Sequence, residues 1–378
     1  MTQEQSTDVI VEGAEPAVVG PLLAGAMHDP RWLSCAVALI SGGKSNLTYR
    51  VHSAAGEVIL RRPPLGHILP TAHDMAREYR VVSALHGTSV PVPRTMVLGT
   101  ADSALGTPFY VMERVVGHIC RDQLPPNYAD APADRAAIGA GLIDVLATLH
   151  TIVPGEVGLG DFGRPQGFME RQLRRWSEQW QRSKDQELPA LEGLRADLVA
   201  TLPALGPSAI VHGDYRLDNV VLHPARPGEI VAVLDWEMST LGDPLADVGA
   251  LLAYWSEEDD DDVLVRARIV GPVTAAEGFP SRDEVIERYA QRTGFDLSAI
   301  SWYQAFAFFK LAVICQGIAA RAAGGAMLGS GFDEAKGLVE PLVQAGRHHL
   351  DRGGLLPSRR ADPPALPIRF GSTRRRAG

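Results

Sequence analysis

Cysteine is scarce in this 378-residue chain: there are three, Cys35, Cys120 and Cys315, none near another. That excludes C-x-x-C metal or redox motifs and any dense disulfide framework, so three reduced thiols are expected. Positive charge is in deficit as well. Lys and Arg total 36 against 45 Asp and Glu, a net charge of -9. Such a balance disfavours nonspecific binding to nucleic acid or anionic membrane, yet permits a local basic pocket. No unbroken run of about 18 apolar residues occurs, so no membrane span is expected. The first residues, MTQEQSTDVIVEGAEP, lack the basic and apolar regions of a signal peptide. A soluble, cytoplasmic protein is the expectation. No repeat of roughly 20–50 residues is visible, and 38 Gly and 27 Pro are ordinary amounts. A Walker P-loop is also missing. Gly43-Lys-Ser45 matches its end, but the required earlier glycine falls at Ala38, and Leu47–Val51 reads as strand where a helix should follow.

The texture changes once along the chain. After a polar start, Ala17–Met27 reads as a short packing helix, and Cys35–Val116 is rich in strands and turns. Leu47–His52 and Glu57–Arg61 flank Ser53–Gly56 as a β-hairpin. Thr71-Ala-His-Asp74 resembles a capping box opening a helix to Leu85. Pro108–Glu113 reads as a further strand. Beyond Gly117, helical spacing takes over: Asp134–Ile152 with Asp134 as N-cap, then Gly167–Gln186 and Leu191–Leu202. Ala209–His212 and Ile230–Leu234 interrupt the helices as strands. The end, from Pro357, is rich in Pro and Arg and reads as a flexible tail. The expected domains are an extension (1–34), a small β-rich lobe (35–115), a larger helical lobe (116–356) and the tail (357–378).

Two short stretches in the helical part carry chemistry. His212-Gly-Asp-Tyr-Arg-Leu-Asp-Asn219 has the form H-x-D-x-x-x-x-N, and Val233-Leu-Asp-Trp-Glu237 follows an apolar strand. Phosphoryl transfer to a hydroxyl needs an orienting carboxylate and metal ions that neutralise phosphate charge. Asp214 suits the first role. Asn219 and Asp235 offer the hard oxygen donors that Mg²⁺ prefers. Alone, each motif could be a capped turn or a strand end. Together, with a hairpin-sized gap of 16 residues placing Asn219 and Asp235 at one edge, they read as a catalytic pair.

With Gly242-Asp-Pro-Leu-Ala-Asp247 added, the chain resembles the aminoglycoside phosphotransferase and choline kinase superfamily over residues 30–350. Gly42-Gly-Lys-Ser-Asn-Leu-Thr-Tyr49, Leu60-Arg-Arg-Pro-Pro64, Ala72–Val81 and Pro108–Glu113 carry a narrower resemblance, to the phosphotransferase domain of acyl-CoA dehydrogenase family members 10 and 11. The resemblance implies an α+β, protein-kinase-like bilobal fold, with nucleotide between the lobes. It implies Asp214 as catalytic base, His212 as a buttress of the catalytic loop, and Asn219 and Asp235 as Mg²⁺ ligands. Asp243 and Asp247 would hold the loop and the helix after it, with Glu237 flanking the metal. Gly42, Gly43, Lys44, Ser45 and Asn46 would turn over the phosphates of ATP or GTP through backbone N–H groups. Arg61 stands where kinases carry a Lys, with Glu78 as its helix partner; Arg keeps the charge but brings a bulkier, bidentate head. Glu113 and Val115 would read the purine through main-chain atoms.

For the acceptor, a small molecule with a hydroxyl, the narrower resemblance implies a hydroxyacyl-CoA. Trp176, Trp180, Trp255 and Trp302 read either as cavity walls or as core. Arg171, Arg174 and Arg175 read either as a solvated face or as a clamp for a phosphate-bearing acceptor. The acidic run Glu257–Asp262 would suit a polycationic aminoglycoside, though such runs usually sit on solvated loops. An inactive nucleotide- or acyl-CoA-binding module and a protein kinase are the rival readings.

Overall fold

Strand alternation decides what faces the cleft. In the computed structural model, which describes residues 12–40, 46–65, 73–204, 206–323 and 332–354, the amino-terminal lobe is a five-stranded antiparallel sheet. Helix α1 (Pro16–Ala26) precedes strands β1 (Cys35–Leu39), β2 (Leu47–Ser53) and β3 (Gly56–Arg62). Helix α2 (Met75–Leu85), β4 (Thr95–Gly99) and β5 (Phe109–Glu113) complete the lobe, with strand order β1-β2-β3-β5-β4. Val58 and Leu60 of β3, with Phe109 and Val111 of β5, point outward into a cluster with Val19 and Leu23 of α1. Each such apolar side chain contributes roughly 1.5–3 kcal/mol on burial. Their alternates, Ile59 and Tyr110, turn inward and join Met75 of α2. Period-two geometry therefore sends Arg61 inward too, opposite Tyr110 in the β3–β5 register.

The larger lobe contains α3 (Pro132–Thr151), α4 (Phe168–Ser183) and α5 (Pro189–Ala200). Four short strands follow: β6 (Ala209–Val211), β7 (Val220–His223), β8 (Arg226–Val233) and β9 (Thr240–Gly242). Helices α6 (Leu245–Tyr254), α7 (Asp262–Arg266), α8 (Arg282–Thr293), α9 (Ile300–Ala323), α10 (Phe332–Gly337) and α11 (Val339–Arg352) complete it. β6 pairs with β9 and β7 with β8, both antiparallel. The sequence reading found β6 and β8 but not β7 or β9. The observed fold is the expected kinase-like α+β arrangement of two lobes.

Two helix starts differ from expectation. The cap of α2 is Asp74, whose carboxylate accepts the Arg77 N–H at 3.0 Å; a Thr71 cap lies outside the described residues. Helix α3 begins two residues before Asp134, because Pro132 occupies its first turn, leaving Asp134 as a first-turn acid beside the positive helix end. Helix α9 is long and apolar enough to cross a membrane, by length and composition. Two-thirds of that stretch is buried, packed on α4, α6 and α11, so it is the central helix of the lobe. Lys310 and Arg321 break its apolar run, which is why no unbroken stretch was visible. The expected phosphate turn at 42–45 and the tail from Pro357 lie outside the described residues.

Candidate active site

The β7–β8 hairpin aligns the motif residues. Val220 pairs with Val233, so Asn219 and Asp235 flank one end of the ladder, and the Leu234 N–H donates to the Asn219 carbonyl at 2.8 Å. The Asn219 amide nitrogen donates to the Asp214 carbonyl at 2.8 Å and to its Oδ2 at 3.0 Å. With its nitrogen committed, Asn219 has its oxygen left for a cation. Asp235 adopts a left-handed backbone, φ 64° and ψ 61°, a conformation uncommon for a residue with a side chain and concentrated at functional sites. Among the described residues no group of three His, Cys, Asp or Glu could hold a metal. One carboxylate and one amide oxygen are a sparse set. They fit Mg²⁺, which keeps waters and phosphate oxygens in its shell.

The catalytic loop is tied down from behind. Asp247, buried at the start of α6, accepts the N–H of His212 at 2.6 Å and of Gly213 at 2.8 Å. Burial works against its charge, but His150 at 3.2 Å, His212 and the Gly213 N–H hold its carboxyl below the usual range. His212 is fully buried. Its Nε2 donates to the Leu234 carbonyl at 2.9 Å, and its Nδ1 accepts the Asp214 N–H at 3.3 Å. Both ring nitrogens are thus engaged, and His212 acts by positioning the loop. Asp243 accepts the Leu245 N–H at 3.0 Å and the Tyr303 hydroxyl at 2.6 Å, the structural role read for it.

On the sheet side, Arg61 reaches across the cleft. Its Nη2 lies 3.1 Å from Glu78 Oε1 and 2.9 Å from Asp235 Oδ1. Burial disfavours the guanidinium charge, but Glu78, Tyr110 and Asp235 outweigh it and raise the Arg61 pKa. Arg61 Nε is buried without a partner among the described residues. Glu78 also accepts the Tyr110 hydroxyl at 3.0 Å. Burial pushes the Glu78 carboxyl up to about 7, against the pull of Arg61. Asn46 donates to Glu237 Oε2 at 3.0 Å and sits 2.7 Å from His73 Nδ1 through its own oxygen. It joins the residue just before β2 to the segment after Asp235. Glu113 ends β5 with its N–H on the Arg94 carbonyl at 2.9 Å, and Val115 follows it in the connection between lobes.

Beside the Gly213 backbone opens a cavity of about 520 Å³. Its lining includes Arg77, Arg164, Arg171, Arg175 and Lys310, with Asp74, Glu237 and Asp247 as the acids. Arg171 and Arg175 therefore face the cavity, while Arg174 is not in its lining. Trp176, Trp180, Trp255 and Trp302 are all buried core side chains. The acidic run is not a cleft: Glu257 and Asp260 each lie 2.6 Å from Arg282, and Asp261 caps α7. Sequence reasoning missed four cations here, among them Arg164 in the cavity lining. Arg216 reaches Asp218 at 3.1 Å and Asp214 at 3.4 Å. Its place between two loop acids was a readable signal. Arg77 spans the lobes, donating to the Phe162 and Ser239 carbonyls, the latter at 3.1 Å. Lys310 lies almost 100 residues from the motif it approaches, and nothing local announced it.

Comparison with known proteins agrees with this geometry. The phosphotransferase enzyme family model (APH) matches residues 36–303. Acyl-CoA dehydrogenase family member 11 of Rattus norvegicus is 36% identical over 311 residues, covering 80% of this chain and 39% of that protein. Family member 10 of Mus musculus is 35% identical over 304 residues, covering 80% of this chain and 28% of that protein. The chain thus spans well under half the length of these relatives. The crystal structure of a candidate aminoglycoside phosphotransferase from Ralstonia eutropha superposes with a TM-score of 0.70 at 34% identity, covering 84% of this chain and 93% of that one. A matching family model over most of the chain, on a fold that sets Asp214, Asn219 and Asp235 together, makes this chain a member of the phosphotransferase enzyme family.

Proposed function

We propose that this protein transfers the γ-phosphate of ATP or GTP to a hydroxyl of an anionic small molecule, with a hydroxyacyl-CoA as the favoured acceptor class. The observation carrying the reading is the hydrogen-bonded pair Asp214–Asn219 with Asp235 at the same hairpin end, beside a cavity that Gly213 and Glu237 line together with four arginines. Asp214 orients the acceptor hydroxyl. As its oxygen forms a bond to the γ-phosphorus, the bond from that phosphorus to the β-phosphate bridging oxygen breaks, the nucleoside diphosphate leaves, and the hydroxyl proton passes to the Asp214 carboxylate. Asn219 and Asp235 would hold Mg²⁺, which supplies charge neutralisation at the phosphates. Arg61 steadies the phosphates from the sheet side.

The cation-lined cavity supports an anionic acceptor and disfavours a polycationic aminoglycoside, for which like charges across a site are costly. The likeness to acyl-CoA dehydrogenase family members supports the CoA-linked class. Three free thiols support a cytoplasmic setting.

The test is phosphate transfer from Mg²⁺-ATP and Mg²⁺-GTP to 4-hydroxyacyl-CoAs, choline, homoserine and kanamycin, with Asp214→Asn as control. Transfer to the acyl-CoA, reduced about 10²–10⁴-fold in the variant while nucleotide still binds, is expected. One observation favours a second reading, a nucleotide sensor without turnover: Arg61 already occupies Asp235 at 2.9 Å. Tight nucleotide binding with no transfer to any acceptor would select it.

A further inference from the structure

Lys310 is the one cavity cation delivered by α9, and its surroundings do not satisfy it. Its Nζ donates to the Gly213 carbonyl at 3.0 Å, directly before Asp214. An ammonium has three N–H groups, so further donors remain. Among the described residues it makes no ion pair within 4.0 Å. It also lies over the Trp176 ring, with Nζ 5.7 Å from the centroid. Arg175 lies over the same ring, its Cζ 5.6 Å from the centroid. Two cations that line the cavity thus share one buried indole behind it. The Trp176 Nε1 itself is buried without an acceptor among the described residues. Burial lowers the Lys310 pKa, with Asp214 and Asp247 pulling it back and Arg175 lowering it further. A half-satisfied ammonium in such a place is costly unless an oxygen arrives to complete it.

We propose that Lys310 is a specificity-determining residue for the acceptor: it binds an acyl oxygen, carbonyl or carboxylate, close to the hydroxyl that Asp214 orients. The inference rests on the acceptor cavity assigned above. The Gly213 carbonyl fixes Nζ relative to the catalytic loop, so an oxygen on Lys310 sets the distance between the acyl group and the reacting hydroxyl. An acceptor that lacks the acyl oxygen would leave the ammonium unpaired, the kind of mismatch that discriminates most strongly between analogues.

The probes are 4-hydroxybutyryl-CoA, its thioether analogue with CH₂ in place of the carbonyl, and free 4-hydroxybutanoate. Binding is followed by calorimetry on the whole chain, and transfer from Mg²⁺-ATP is measured in parallel. The unaltered protein should bind the thioester or the free acid roughly 10- to 100-fold more tightly than the thioether. Lys310→Met should erase that difference and Lys310→Arg should restore part of it. A preference for the thioester assigns the oxygen to a carbonyl; one for the free acid assigns it to a carboxylate. Equal binding of all three by the unaltered protein, which needs no variant to fold, overturns the proposal. So does a preference that survives in Lys310→Met. Discrimination in binding without any phosphate transfer would sink the phosphotransferase reading and leave Lys310 in place. Transfer with equal efficiency to thioester and thioether would do the reverse.

Discussion

Removing the Arg61 guanidinium would strand Glu78 inside the protein. Glu78 has a side chain only 1% exposed, with Arg61 at 3.1 Å as its cation. Arg61→Met should therefore destabilise the fold by about 3–5 kcal/mol, read from urea unfolding near neutral pH. Arg61→Lys keeps the charge but not the planar head whose Nη2 touches both Glu78 and Asp235, and should weaken nucleotide binding while sparing most of the stability. Glu78 also links stability to pH. Burial raises its carboxyl from 4.5 to about 7, so across that window the folded chain keeps a proton that the unfolded chain releases. Stability from this group is complete below 4.5 and is lost as pH rises through 7. Unfolding midpoints between pH 5 and 7.5 should show that decline flattened in Glu78→Gln. Asp214, Asn219 and Asp235 were legible because each lies within a few residues of a strand end, where chemistry follows spacing. The Arg61–Asp235 contact was not, because it joins two lobes across 174 positions.

At the scale of elements, the catalytic loop depends on the first turn of α6. Asp247→Ala would leave the His212 and Gly213 N–H groups and the His150 ring without their acceptor. Turnover should fall about 10²-fold or more, since misplacement of a catalytic group by about 1 Å costs that much. Circular dichroism should still report a folded chain. Gly213 itself sits at φ +88°, and a Cβ there would meet the Met238 Cβ at 2.7 Å and its carbonyl at 2.8 Å. Gly213→Ala should damage activity through this clash and the unfavourable backbone, and a shift in melting temperature should accompany it. Helices α1, α3, α4 and α5 were readable to within three residues, whereas α6–α11 were not separated from one another. Strands β7 and β9 were not read. Their pairing is set by what lies across from them, as β6 on β9 shows.

Over the whole molecule, polar contacts among the described residues join the lobes around the cleft. Arg77 of α2 holds the Phe162 and Ser239 carbonyls, and Asn46 holds Glu237. Arg77→Met removes a charged donor worth about 1.5–3 kcal/mol per bond. Nucleotide affinity should fall about tenfold while each lobe stays folded, with the radius of gyration in solution rising if the lobes part.

What the sequence determined by itself is local: strand alternation that turns Arg61 and Tyr110 to the cleft, the spacing that makes Asp214 and Asn219 partners, and the glycine at 213. These depend on neighbours a few residues away, where backbone geometry leaves little freedom. Only tertiary structure decided the character of the acceptor cavity. An arginine at 171 or 175 reads the same in sequence whether its helix face meets solvent or a cleft. Lys310 belongs to an apolar helix until α4 and the catalytic loop close around it. Charge acquires its function from what is packed opposite, and that is fixed by the burial of side chains far apart in the chain.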